Sequence, residues 1–347
     1  MDPVTRELAA DGTARGAFFL RYWEGGQHVR LRLEVPDPAR QPRVRDLIRE
    51  RAAAHFAEHP SPQVDAATYR AFAAAMARGE RRTGYDEQLH PAGSVAFIGY
   101  RPEHEAYGDA ACVAAAERHF AVSSRLALDV LRAGTDMGRR TAIGLAALTI
   151  AIAACEPDLP AAARRLAIAA RQTNAPPSGT ASPGAPSGTA SPGTASPGAP
   201  SLGAPSLGTA STGTVPPGAA STGTRSAMEE DWRRRETALL AQTRTLWEAP
   251  DTGTGLLATW ASSIRALRAD LDALHAAGRC APLDPGSPHA FLALAAPPER
   301  RTVSLILMRC VHLFHNRLGL RAGAEQHTSF LAARAVAGLA DPRRWSP

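Results

Sequence analysis

Residues 18–35 read FFLRYWEGGQHVRLRLEV, and the second half alternates strictly, with His28, Arg30, Arg32 and Glu34 set against Val29, Leu31, Leu33 and Val35. Successive side chains of a strand point to opposite faces. The aliphatic set can therefore enter a core while an imidazole and two guanidiniums line the other face. EGGQ, residues 24–27, supplies glycines for a hairpin turn between strands expected at 17–23 and 28–35. One face of a small antiparallel sheet is often solvated, and arginine is common there. The same row also suits an anion, because a guanidinium offers a planar fork matched to carboxylate or phosphate.

Outward from this hairpin the chain turns helical. Val44, Leu47, Ile48 and Phe56 share a side of a helix expected at 43–57, and Tyr69, Phe72 and Met76 mark another at 66–78 that Gly79 can stop. SVAFIGY at 94–100 has strand composition, and 109–133, 138–155 and 158–172 read as helices. Ser226 followed by Glu229 has the spacing of a capping box for a helix to about Glu248. A stripe of Leu256, Trp260, Ile264, Leu267, Leu271 and Leu274 marks 254–277, and helices are expected at 298–318 and 324–339. The expected class is α+β, a small, mostly antiparallel sheet with many packed helices, interrupted by a long disordered linker.

That linker is 175–224, built only of Ala, Ser, Gly, Thr, Pro, Leu and Val, with GTASPG at 179–184 and again at 188–193. Lacking charges and large aromatics, it cannot form a core. Residues 1–174 and 225–347 are expected to be two parts of the same domain, because an insertion in a surface loop carries only a logarithmic entropy cost.

The 347 residues, 44% of them hydrophobic, can bury a sizeable core. Net charge is +6, yet all 39 basic residues are arginine and none is lysine. With so much Ala, Gly and Pro, this is a compositional bias of the whole chain rather than a phosphate-binding patch, and argues against direct nucleic-acid binding. Cys112, Cys155, Cys280 and Cys310 form no C-x-x-C, so reduced core thiols are expected, with no metal and no cofactor. MDPVTRELAADG at the start has no apolar run, and the apolar segment 141–155 is too short for a comfortable membrane span. A soluble, cytoplasmic protein without membrane attachment is the expectation.

Near the C-terminus, Ser304, Met308, His312 and Asn316 recur at helical spacing beside a stripe of Val303, Leu307, Cys310, Val311, Phe314 and Leu318. A histidine at the edge of such a stripe is either a hydrogen-bonded packing residue or a proton-transfer group, since imidazole titrates near neutrality.

Four segments taken together, the opening hairpin, YRPEHEAYGD at 100–109, AERHFAVSS at 116–124 and HLFHNRLG at 312–319, resemble in order the lantibiotic dehydratase C-terminal domain, also called the thiopeptide-type bacteriocin biosynthesis domain. The resemblance runs from about 17 to 335, apart from the linker. It implies elimination of glutamate from glutamylated Ser or Thr of a ribosomal precursor peptide, leaving dehydroalanine or dehydrobutyrine. It further implies the elimination half of a split dehydratase, served by a separate glutamylating protein that uses glutamyl-tRNA. A homodimer is left open.

Under that resemblance Arg30 and Arg32 orient the glutamyl carboxylate and His312 transfers the α-proton. His28, Arg21, Tyr100, Glu103, Asn316 and Arg317 bind substrate or orient those groups. One departure stands out: the family has Arg-Tyr-Gly-Gly where this chain has Ala106, Tyr107, Gly108 and Asp109. Glutamate recognition is then weaker, or Arg101 replaces the missing arginine, or the reaction has changed. The family fold also carries enzymes that join two dehydroalanines by a formal [4+2] cycloaddition to the pyridine core of thiopeptides. A non-catalytic subunit that holds the precursor or docks the glutamylating enzyme is the third reading.

Overall fold

In the computed structural model, which describes residues 1–79, 84–174, 222–249 and 255–340, the hairpin forms as the alternation predicts. Strand β1 (Gly16–Tyr22) pairs antiparallel with β2 (His28–Glu34), setting Phe18 opposite Arg32, Leu20 opposite Arg30 and Tyr22 opposite His28. Gly25 and Gly26 both take positive φ in the turn, where a glycine has no Cβ to clash.

The rest is helical: α1 (Asp2–Ala10), α2 (Gln41–Glu58), α3 (Ala66–Gly79), α4 (His104–Tyr107), α5 (Ala110–Arg132), α6 (Met137–Cys155), α7 (Leu159–Asn174), α8 (Thr222–Glu248), α9 (Leu256–Ala276), α10 (Arg301–Leu318) and α11 (Ala322–Gly338). The α+β class with one small antiparallel sheet is as expected. Two elements differ. The 94–100 segment is irregular and exposed, with Ile98 three-quarters accessible; its apolar composition meets no neighbouring strand to pair with. Helix α8 begins at Thr222, upstream of the Ser226 cap and inside the last three residues of the expected linker, whose stretch 175–221 lies outside the described residues.

The main core draws on both sides of that stretch, from Phe18 and Phe120 to Ile264, Phe314 and Leu339. The apolar run 141–155 is the buried body of α6, as a helix apolar on every side should be. At the centre Trp260 stacks on Phe314 with ring centroids 4.4 Å apart, and its indole N–H donates to the Ala147 carbonyl at 3.0 Å. Truncating a buried aromatic of this kind costs about 3–5 kcal/mol. All four cysteines are buried and free.

The hairpin meets its expectation in part. On β2 Leu31 packs against the main core, and Leu33 and Val35 against a smaller one that includes Val4, Leu8 and Val44, each partly buried, while Val29 is half exposed. Strand β1 packs on α5 and α10 and supplies the buried Phe18, Phe19, Leu20 and Tyr22. Of the two strands β1 is the more deeply buried.

Candidate functional site

Helix α10 is buried almost without interruption from Val303 to Leu318, although Arg309, His312, His315, Asn316 and Arg317 lie within it. An unpaired buried charge costs several kcal/mol. The partners of these residues therefore explain why the sequence HLFHNRLG folds here.

Asn316 and Arg317 hold the hairpin. Phe19 and Arg21 turn their main-chain groups to the β1 edge away from β2. Asn316 Oδ1 accepts from the Arg21 N–H at 3.0 Å, and its Nδ2 donates to the Arg21 carbonyl at 3.1 Å. Arg317 Nε donates to the Phe19 carbonyl at 2.8 Å and Nη1 to Ser123 Oγ at 3.1 Å, while the Phe19 N–H donates to Ser124 Oγ at 3.2 Å. Side chains from α5 and α10 thus replace a third strand, satisfying the main-chain groups that β2 leaves open on that edge. Complete burial pushes Arg317 down to about 10. The Arg21 side chain lies over Gly319, the left-handed cap of α10. Burial, then the neighbouring Arg140, lowers its pKa.

On the other side of β1 the basic row stacks on aromatic rings. The Arg30 guanidinium sits 3.7 Å from the Tyr22 ring centre, and its Nε–H donates to His28 Nε2 at 3.0 Å. His28 Nε2 accepts, so Nδ1 carries the proton and donates to the Gly26 carbonyl at 2.8 Å. Burial lowers the His28 pKa in keeping with that neutral form. Arg32 lies over Phe18 and Tyr100 and forms an ion pair with Glu103 at 3.5 Å. Tyr100, half exposed, donates its hydroxyl to Glu117. The face first read as either solvated or anion-binding is thus a cation–π layer, partly neutralised by one carboxylate.

Arg309, which the sequence reading did not single out, enters this layer from α10. It approaches Glu103 at 3.8 Å and donates to Tyr107 Oη at 3.3 Å and to the Gly286 carbonyl at 2.9 Å. Tyr22 Oη, Glu103 Oε2 and Arg317 Nη2 are buried with no hydrogen-bond partner among the described residues. Burial, then Glu103, pushes the Tyr22 phenol up to about 12, so it is a neutral donor. Ala106 is buried and Arg101 is exposed; the guanidinium found beside Tyr107 belongs to Arg309.

His312 belongs to a second cluster. Its Nδ1 meets Glu325 Oε1 at 3.0 Å, and its ring centre lies 6.3 Å from that of His289. His289 Nδ1 is hydrogen-bonded to Ser329 Oγ, its Nε2 lies 3.1 Å from His315 Nδ1, and His315 Nε2 donates to the Gly144 carbonyl. Despite burial, the contact with His312 holds the Glu325 carboxyl far below the usual range. A carboxylate bound to Nδ1–H fixes the orientation and tautomer of an imidazole. Glu325 and His289 carried no local signal: one is a lone acid in an alanine-rich helix, the other a histidine in a Pro- and Gly-rich loop. The structure thus gathers Arg30, Arg32, His28, Tyr100 and Glu103 into one layer, puts Asn316 and Arg317 on the β1 main chain, and sets His312 on Glu325.

Comparison with known proteins adds three findings. A family model described as lantibiotic biosynthesis dehydratase C-term matches residues 1–179. No curated protein sequence matches the chain. Among solved structures, the pyridine synthase TbtD from thiomuracin biosynthesis superposes with a TM-score of 0.63 at 17% identity, covering 98% of this chain and 92% of that one. TsrL superposes with a TM-score of 0.55 at 18% identity, covering 96% and 87%. At these identities the likeness establishes a shared fold.

Proposed function

Because the chain belongs to the lantibiotic dehydratase C-terminal family, whose setting is the biosynthesis of peptide antibiotics, we propose that it eliminates glutamate from glutamylated Ser or Thr of a ribosomal precursor peptide. The observation that carries this reading is the His312–Glu325 pair on the helix that also carries Arg309 toward the arginine layer. Elimination needs a base for the α-proton and cations for a departing carboxylate. His312, held by Glu325, supplies the first. Arg30 and Arg32 supply the second, with the Arg30 fork stacked flat on Tyr22. As the Cα–H bond breaks, charge develops on the adjacent carbonyl, and fixed cations in a poorly hydrated site stabilise it. The glutamylated peptide comes from a separate glutamylating protein.

A second reading, pyridine formation by cycloaddition, is favoured by the buried Ala106 in place of the family arginine and by the fold shared with a pyridine synthase along nearly the whole of both chains. Mass spectrometry separates the two. Incubated with glutamylated precursor, the protein should release glutamate and leave the peptide one water lighter at each converted Ser or Thr than the unmodified residue. If it leaves that peptide untouched but turns a fully dehydrated precursor into a six-membered nitrogen heterocycle, the cycloaddition reading replaces elimination. If it alters neither, a non-catalytic precursor-binding role takes their place.

A further inference from the structure

Three chain segments bring His289, His315 and Glu325 to one point: the loop before residue 290, α10 and α11. All three are buried, the two histidines completely. Their ligand-capable atoms lie within 4.8 Å of one another. His289 Nε2 is 3.1 Å from His315 Nδ1, and His315 Nδ1 is 3.6 Å from Glu325 Oε1.

The outer nitrogens settle which atoms face inward. His315 Nε2 is 3.0 Å from the Gly144 carbonyl, which can only accept, so Nε2 carries hydrogen and a neutral His315 presents a bare Nδ1 to the cluster. His289 Nδ1 is 2.6 Å from Ser329 Oγ, a hydroxyl that can accept its N–H and leave Nε2 bare as well. Two lone pairs and a carboxylate then converge in a space without water access. A cation at the centre would satisfy all three.

We infer that His289, His315 and Glu325 bind one divalent transition-metal ion of the zinc class. Around an ion with bonds of about 2.0–2.1 Å, tetrahedral neighbours sit about 3.3 Å apart; the observed 3.1 and 3.6 Å bracket that value. The two imidazoles and one carboxylate form a ligand set suited to such ions. Each histidine is oriented through its far nitrogen, as metal-bound histidines are. A Cβ at Gly144 would stand 2.9 Å from His315 Nε2, so the glycine lets α6 approach the ring closely enough for its carbonyl to hold it. The ion would tie α10 to α11 and set the carboxylate on which His312 rests. The inference is independent of the reaction assigned above.

The test uses untagged full-length protein expressed with zinc. Elemental analysis should find about one zinc per chain, and Co(II) exchanged into the site should give the visible d–d bands of a low-coordinate complex. X-ray absorption of the zinc protein should fit nitrogen and oxygen ligands without sulfur. Glu325→Gln and His289→Gln should lose the metal, whereas His312→Ala should keep it. Folded wild-type protein with no zinc and no Co(II) bands would overturn the inference, leaving a shared proton between His289 and His315. A sulfur-containing ligand shell, or metal retained by both folded ligand variants, would overturn it equally.

Discussion

Asn316 clasps the main chain of Arg21 with both of its amide atoms, accepting from the N–H at 3.0 Å and donating to the carbonyl at 3.1 Å across 295 residues of sequence. The clasp makes α10 the third member of a two-stranded sheet. Asn316→Leu, which keeps the volume and removes both bonds, should cost about 2 kcal/mol, because two partly buried edge groups lose their partner to an apolar side chain. Urea denaturation measures this, and an unchanged midpoint would show that the clasp carries no stability.

Gly319 should not tolerate a side chain. Its φ of +74° is left-handed, and a Cβ there would run into Arg21 Nη1. Gly319→Ala is expected to lower stability by about 1 kcal/mol or more, from the backbone penalty alone. Thermal melting beside the wild type decides it.

Replacing Arg30 or Arg32 by Lys keeps the charge and discards the planar fork. If these residues hold the glutamyl carboxylate, elimination should slow about tenfold or more, the worth of one charged hydrogen bond. Glutamylated intermediates should accumulate in the mass spectrum, because the glutamylating partner is untouched. Full activity in both variants would remove them from the site.

His312→Ala should lower the elimination rate by about 10²- to 10⁴-fold, the range for a general acid or base. A single-turnover assay on glutamylated peptide with unchanged peptide binding reads the chemical step. Loss of binding instead of rate would recast His312 as a packing residue of α10.

Acid stability should depend on His119. Fully buried and close to Arg317, its imidazole is pushed down to about 3 in the folded protein, against about 6.5 when unfolded. The unfolded chain therefore binds the extra proton between these values, and stability falls as pH drops from 6.5 toward 3, by up to about 1.4 kcal/mol per pH unit. His119→Asn should flatten that part of the stability profile. A profile identical to wild type would mean that His119 does not govern it.

The hairpin, its register and most helices follow from the sequence because period-2 and period-3.6 patterns are local, and glycine at 25, 26 and 319 marks positions of positive φ. The motif HLFHNRLG identified the helix that matters, and position 106 announced the departure from the family. Tertiary structure decided the partners. Whether Arg30 meets water or Tyr22, that Glu103 answers both Arg32 and Arg309, and that Glu325 and His289 close around α10 depend on contacts spanning from eight to more than two hundred residues. Periodicity places a side chain on a face; only packing chooses what it faces. The aliphatic face of β2 shows the difference most plainly: its alternation was legible, but only the folded chain sends Leu31 to the main core and Leu33 and Val35 to the smaller one, and leaves Val29 half exposed.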